Sequence, residues 1–400
     1  MPYSSGPNTV SDSIVFNYDT GDTVNSYVGE PTTNQFTNPA FTNGTTGWIF
    51  GSWDGTRYAY TVENTVGPFG QIVPALKITR VSSDTSYAHF HQGNNGKYTN
   101  GNTYTLSAYV KGSGTLGQYN QGGYGPITYN PNQFVTLTSN WQRISYTLTS
   151  QTDTLYPYWA AENITQNIPM YFTFAQSENK THTTPFVNGT RSITQGLLDI
   201  SGYSNTITLA NMSYDNNAQV YFDGTDDYTT STTYTQTNTG ALTIDVWTKP
   251  NSTTQLKTIV SKWGASGLGN FSWLLFLNWF AQGNIYFLVG NGSGNGYSTF
   301  SIPHNLSTSQ YTNFTVTYIN GWVNMYRNGV LVTSDYTPYT TLKNVTTPLT
   351  VGADWDAGSL DSLTRPYSGV IPSVRLYSRA LSTTEIQQNY LAYKTRFNLS

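Results

Sequence analysis

A two-residue hydrophobic alternation, restarting after each cluster of Gly, Asn or Pro, constrains this chain more than any other feature. In Tyr104-Thr-Leu-Ser-Ala-Tyr-Val110 the side chains of Leu106, Ala108 and Val110 fall on one face. The same period runs through residues 144–148, 170–174, 242–246, 285–289 and 314–318. A period of two belongs to strands that bury one face. Between them lie turn formers such as Gly112-Ser-Gly114 and Gly122-Gly-Tyr-Gly125. Short strands separated by such turns predict sandwiches and jelly rolls. Composition points the same way: 63 Thr against five Glu disfavours extensive helix. The expected fold class is all-β, with two jelly-roll or β-sandwich domains and one short C-terminal helix.

Two local elements are specified by their own chemistry. In Trp322-Val-Asn-Met-Tyr-Arg-Asn-Gly-Val-Leu-Val332 the pair Asn328-Gly329 tolerates the two positive φ angles of a type I′ turn, so the segment predicts a hairpin. Ser382-Thr-Thr-Glu385 is a capping box, flanked by Leu381 and Ile386 as a hydrophobic staple. It predicts a helix over 382–394, with Ile386, Tyr390 and Tyr393 on its packed side.

Composition also excludes partners and chemistries. Only 10% of residues are charged and the net charge is −3, which leaves no electrostatic footprint for nucleic acid or an anionic membrane. No apolar run approaches a membrane span. Aromatic residues make up 15%, incompatible with a disordered chain. Cysteine is absent, which removes disulfides, thiolate metal sites and cysteine nucleophiles. The start, Met1-Pro2-Tyr3-Ser4-Ser5, lacks the basic and apolar regions of a secretory signal, yet the Tyr, Thr, Asn and Gly richness is that of an exterior surface. Such a chain leaves its cell by lysis, or is a secreted chain already trimmed. Twelve Asn-x-Ser/Thr sequons accompany the Asn and Thr abundance, and chance accounts for most of them.

The C-terminal half resembles the concanavalin-like, laminin-G-like jelly rolls. The matching residues, in the family's order, are Gly196-Leu-Leu-Asp-Ile-Ser-Gly202, Val220-Tyr-Phe-Asp-Gly-Thr-Asp-Asp-Tyr228 and Leu242-Thr-Ile-Asp-Val-Trp247. Trp322–Gly329 and the run from Tyr367 to Arg379-Ala-Leu-Ser382 complete the set. The likeness is closest to the copies found in tailed-phage virion proteins. The middle segment is similar, more distantly, to the jelly-roll carbohydrate-binding modules, through residues 36–48, Tyr104–Lys111 and Trp141-Gln-Arg-Ile-Ser145. Residues 14–21 and Ser26-Tyr27 look like the first strand of the laminin-G-like unit. In that family this strand runs almost directly into the Leu-Asp-x-Ser-Gly element, whereas here about 160 residues intervene. The resemblance therefore implies three parts. Residues 1–30 are an arm and first strand that pair with the C-terminal sandwich, 31–188 an inserted module, and 189–400 the sandwich ending in its helix. The alternative is a free arm followed by two sequential domains.

Concanavalin-like folds include glucanases, which need closely spaced carboxylates on one strand. The five glutamates, Glu30, Glu63, Glu162, Glu178 and Glu385, stand far apart in sequence, and no Gly-x-Ser-x-Gly elbow occurs. No enzyme is expected and no catalytic residue is assigned. Metal candidates are Asp223, Asp226 and Asp227 in one acidic turn, and Asp354 with Asp356 in another; both offer hard oxygen donors suited to calcium. The plainer reading of the first is a tight turn between strands, and no cofactor is certain. His89 and His91 share a strand face at metal-pair spacing, but lack a third ligand nearby. Sugar binding needs exposed aromatic faces among polar groups. The glycan candidates are Trp53, Tyr58, Tyr60, His89, His91, Tyr124 and Trp355, each of which could equally pack or cover a low-charge surface.

The expected function is a non-enzymatic structural protein of a virion surface, extracellular after host lysis: capsid decoration, head fibre or tail fibre. Its expected partners are other virion proteins, copies of itself in a homotrimer, and a host-surface polysaccharide, with no nucleic acid and no membrane insertion. The alternative is a secreted or cell-surface polysaccharide-binding protein built from the same folds.

Overall fold

The computed structural model describes residues 8–51, 57–83, 88–92, 98–121, 128–129, 134–150, 153, 156–236, 238–264, 270–290, 296–355 and 364–399. The chain is almost entirely β, with one helix at its C-terminal end. It divides into two compact units. The first comprises Met1–Glu30, Ser192–Asp215 and Gln219–Ser400; the second comprises Pro31–Arg191 with Asn216–Ala218.

The first unit stacks an eight-stranded sheet on a seven-stranded one. The larger sheet runs Ser213–Tyr214, Val220–Asp223, Ser368–Tyr377, Ala241–Pro250, Thr312–Ile319, Trp322–Arg327, Val330–Tyr336. Its eighth strand, Ile14–Asp19, pairs antiparallel with Ser368–Tyr377, placing Phe16 opposite Leu376 and Tyr18 opposite Val374. The second sheet runs Thr208–Ala210, Tyr228–Ser231, Leu349–Val351, Lys257–Trp263, Phe271–Leu277, Asn284–Gly290, Tyr297–Pro303. The core between them is built from alternate positions, such as Leu242, Ile244 and Val246 with Phe314, Val316 and Tyr318, and Phe16 lies in it. The hairpin turns at Asn328 and Gly329, with φ of 50° and 74° as a type I′ turn requires.

The C-terminal helix spans Thr383–Lys394, and its Ser382–Glu385 capping box is formed in both directions. Leu381 and Ile386 are buried together with Val10, Tyr326 and Tyr377. The packed side of the helix carries Asn389 in addition to the expected residues. The helix buries Ile386 and Asn389, while Tyr390 and Tyr393 are half-buried and stack on the ring of Trp247 at 5.7 and 6.3 Å. A buried Asn fits there because each of its polar atoms has a partner. Its amide donates to Asp245 and Tyr377, and its carbonyl accepts from the backbone N–H of Val10.

The second unit is a sandwich of a five-stranded and a six-stranded sheet. The five-stranded sheet runs Gln142–Thr149, Thr103–Lys111, Met170–Glu178, Ile72–Arg80, Tyr58–Val66. The path of the other runs Val135–Thr136, Thr115–Gln121, Tyr156–Glu162, Ala88–Gln92, Trp48–Gly51, with Thr128–Tyr129 beside Thr115–Gln121. Leu106, Ala108 and Val110 point into its core with Trp48, Phe90, Trp159 and Phe172. A two-stranded ladder, Thr33 opposite Thr190 and Thr32 opposite Arg191, joins the beginning of the unit to its end.

Candidate functional site

The inward face of the Thr103–Lys111 strand is set by Leu106, Ala108 and Val110, so Tyr109 and Lys111 point outward. Register carries this outward row across the sheet. Arg143 lies opposite Tyr109, Tyr171 opposite Lys111, and Lys77 opposite Tyr171. A bulge between Thr173 and Gln176 breaks the alternation of the Met170–Glu178 strand. Within it Phe174 adopts φ 51°, and its ring packs with Tyr109 and Phe186 at 6.3 and 4.6 Å. Re-aiming one side chain is what bulges do. The tip of the Tyr58–Val66 and Ile72–Arg80 hairpin bends over the same face. The Tyr58–Val66 strand lies at the far edge of the sheet from Trp141, yet the Trp141 indole N–H donates to the Val66 carbonyl at 2.7 Å. Phe69, 66% exposed at that tip, stacks on Phe174 at 6.3 Å and meets Tyr109 edge-on at 5.3 Å.

The result is a surface of half-buried rings (Tyr109, Trp141, Tyr171, Phe174) threaded by cations. The Lys111 ammonium sits 4.7 Å from the centre of Trp141 and 5.3 Å from that of Tyr171. Arg143 lies over Tyr109 and donates to the Ser107 hydroxyl and the Thr184 carbonyl. Lys77 pairs with Glu63 at 3.0 Å, and Tyr171 donates its hydroxyl to the other Glu63 oxygen at 2.5 Å. These two donors, the Tyr171 bond first, hold the Glu63 carboxyl below its usual pKa. For Arg143, burial is the largest influence and pulls its pKa down, against the opposing pull of Tyr109 and Glu178. Rings to stack on a sugar face, with donors and a carboxylate beside them, make a surface able to hold a saccharide.

Part of this surface was legible in the pattern. Once Leu106, Ala108 and Val110 face inward, Tyr109 and Lys111 must face outward. The sequence candidates, by contrast, lie elsewhere in the chain. Trp53, Tyr124 and Asp356 lie outside the described residues. Tyr58 is a correction: it is 5% exposed and packs in the core of the second unit, because its strand begins there with an inward position. Tyr60 is half-buried, its ring 4.7 Å from Phe50 and its hydroxyl donating to the Gly51 carbonyl. His89 and His91 do share a face of the six-stranded sheet, where both rings meet Tyr158, at 5.8 and 3.9 Å. Burial, the largest cause for each, lowers both pKa values. His91 is 7% exposed, too enclosed to reach a sugar.

In the first unit, Trp355 donates its indole N–H to Thr350 and meets Tyr228 edge-on. Asp354 is a second correction. It is fully buried and accepts from Thr258, Thr364 and the Nε and Nη2 of Arg365, so its oxygens are committed to protein donors. Asp223, Asp226 and Asp227 each place a carboxylate oxygen within 4.8 Å of the others. Asp227 Oδ2 accepts the backbone N–H groups of Asp223 and Ser213, and Asp223 accepts that of Thr225. Burial is the main cause that raises the Asp227 pKa, and the Asp223 charge acts on the nearby Lys257 ammonium. These contacts are those of a hydrogen-bonded turn.

Several solved structures are similar to part of the chain. The receptor-binding domain of botulinum neurotoxin C/D mosaic serotype matches at 18% identity and TM-score 0.38, over 49% of this chain and 48% of that one. The botulinum neurotoxin serotype D ligand-binding domain in complex with N-acetylneuraminic acid matches at 17% and 0.38, over 50% and 49%. The binding domain of botulinum neurotoxin DC in complex with rat synaptotagmin II matches at 15% and 0.36, over 48% of each. This chain thus spans about half the length of each. No curated protein matches it. A family model does match, over residues 223–387 of the first unit, and that family is the concanavalin A-like lectin/glucanases superfamily.

Proposed function

We propose that the protein is a non-enzymatic, glycan-binding surface protein whose saccharide site is the outward face of the five-stranded sheet. The observation that carries this reading is the set of half-buried rings on one face, Tyr109, Trp141, Tyr171 and Phe174, placed among Lys111, Arg143, Lys77 and Glu63. The lectin-like family match of the other unit agrees with it. The setting we propose is a virion exterior, as capsid decoration, head fibre or tail fibre. The low charge, the absent cysteine and the Arg379-Ala-Leu-Ser382 ending that resembles tailed-phage proteins support that setting. In support of self-association, the edge strand Val330–Tyr336 exposes Val330, Leu331, Val332 and Tyr336, beside exposed Trp322.

A glycan microarray probed with the full chain tests the binding reading. At least one glycan class should bind, and Trp141→Ala with Tyr109→Ala should weaken it roughly tenfold or more, the loss of about 1.4 kcal/mol or more, at an unchanged melting temperature. Binding that survives both substitutions places the site elsewhere. Light scattering tests assembly: the proposed trimer has three times the chain mass, and a monomer at micromolar concentration contradicts it.

A further inference from the structure

Of the three cations on the aromatic face of the second unit, Lys77 pairs with the Glu63 carboxylate, and Arg143 donates to the Ser107 hydroxyl at 2.9 Å and to the Thr184 carbonyl at 2.6 Å. Lys111 has neither a carboxylate nor a short hydrogen bond among the described residues. Among the described residues its ammonium has two acceptors, the Thr65 hydroxyl at 3.3 Å and the Val66 carbonyl at 3.5 Å. Both are long for an ammonium, which makes charge-assisted bonds near 2.8 Å. Glu63 makes no ion pair with it; its two oxygens accept from Lys77 and from Tyr171. The ammonium nevertheless lies against two rings, 4.7 Å from the centre of Trp141 and 5.3 Å from that of Tyr171. Lys111 is thus a positioned cation with donor capacity to spare, beside two rings that present stacking faces.

We infer that this surface takes an acidic glycan, one whose sugar ring carries a carboxylate, and that Lys111 receives that carboxylate. The inference rests on the glycan-binding reading above and narrows it. A neutral sugar would use the rings and leave the ammonium with its two long bonds. A uronic-acid sugar places its ring against an aromatic face and its carboxylate at the ammonium, so one ligand satisfies both features. On a chain of net charge −3, attraction of an acidic polymer has to come from a local cation of this kind, and it weakens as salt screens it.

The test is a panel of uronic-acid and sialic-acid oligosaccharides, each paired with its methyl ester, which keeps the sugar and removes the charge. Binding to the full chain is measured by calorimetry at low and high salt. At least one acid should bind about tenfold or more tighter than its ester, the worth of one hydrogen bond to a charged group. Lys111→Gln should erase that difference between acid and ester, and Lys111→Arg should restore most of it. An unchanged melting temperature for Lys111→Gln separates recognition from a structural role. Equal binding of acid and ester overturns the inference and leaves the glycan reading standing. If neither acids, esters nor neutral oligosaccharides bind, both fall.

Discussion

Arg375 Nη2 lies 3.1 Å from Asp245 Oδ2, and both side chains are shut away from water. The two strands that carry them are neighbours, with the residues directly opposite. Asp245 is well served, accepting from Asn313 at 2.7 Å and from Asn389 at 3.1 Å. Arg375 is not: none of its three guanidinium nitrogens has a well-formed hydrogen bond. Its charge rests on Asp245 and on the ring of Tyr393, 4.4 Å away. Burial works to lower the Arg375 pKa, but Asp245, followed by Tyr393, Tyr377 and Asp19, more than reverses this, so the guanidinium stays charged.

Asp245→Asn should therefore be among the most damaging single changes in the first unit. It strands a buried cation, a loss of about 3–5 kcal/mol. The companion change Arg375→Met, made on the Asp245→Asn background, should recover much of it. Urea unfolding of the three proteins measures both. A single mutant as stable as the parent would mean that water reaches the pair.

Ile386→Ala should cost about 2–4 kcal/mol, since it removes a fully buried side chain between the helix and the sheet. Deleting Ser382 onward should cost more and strip the rings from Trp247, which tryptophan fluorescence would report as a red shift. If the shortened chain melts at an unchanged temperature, the helix is only a tail.

Residues 192–400 expressed without the first strand should be unstable and prone to aggregation. The edge at Ser373–Tyr377 that Ile14–Asp19 covers would be open. Phe16 and Tyr18 would also be missing from the core. A peptide of residues 10–30 should restore cooperative melting. Stable folding without it would show that the strand is dispensable.

Glu385 ties the helix start to pH. Its pKa is lowered to about 2, first by hydrogen bonds from Arg379, then by the Ser382 amide and hydroxyl, with burial opposing. A carboxyl depressed in the folded state adds stability above its ordinary pKa near 4.5, and loses it as pH falls from there toward 2. The pair is partly exposed, so the amount is modest, under about 1 kcal/mol. Melting temperatures measured from pH 5 to pH 2 should fall more steeply for the parent than for Glu385→Gln. Parallel profiles would exclude the residue from the acid response.

Strands, the Asn328-Gly329 hairpin and the capped helix were legible because each depends on neighbours in sequence: period two, two positive φ angles, a four-residue box. The ring surface was half legible. Alternation turns Tyr109 and Lys111 outward, but nothing local announces the bulge that re-aims Phe174, or the hairpin tip that brings Val66 to Trp141. Asp354 misled for the opposite reason. An acidic residue between Ala353 and Trp355, just after Gly352, reads as a free ligand until Arg365, eleven residues on, is seen to occupy it.

The pairing of Ile14–Asp19 with Ser368–Tyr377 sets a timetable for synthesis. The first strand leaves the ribosome long before its partner exists, and at about 5–20 residues per second it waits for tens of seconds. During that wait the second unit has its whole sequence and is free to fold. Once it has folded, its ends are fastened together by the Thr33–Thr190 ladder. What would have been a floppy loop of some 160 residues becomes a short pinch, and the entropy of bringing the first strand to its sheet falls accordingly. An early-folding insert would in this way act as an internal chaperone for the sheet that is finished last.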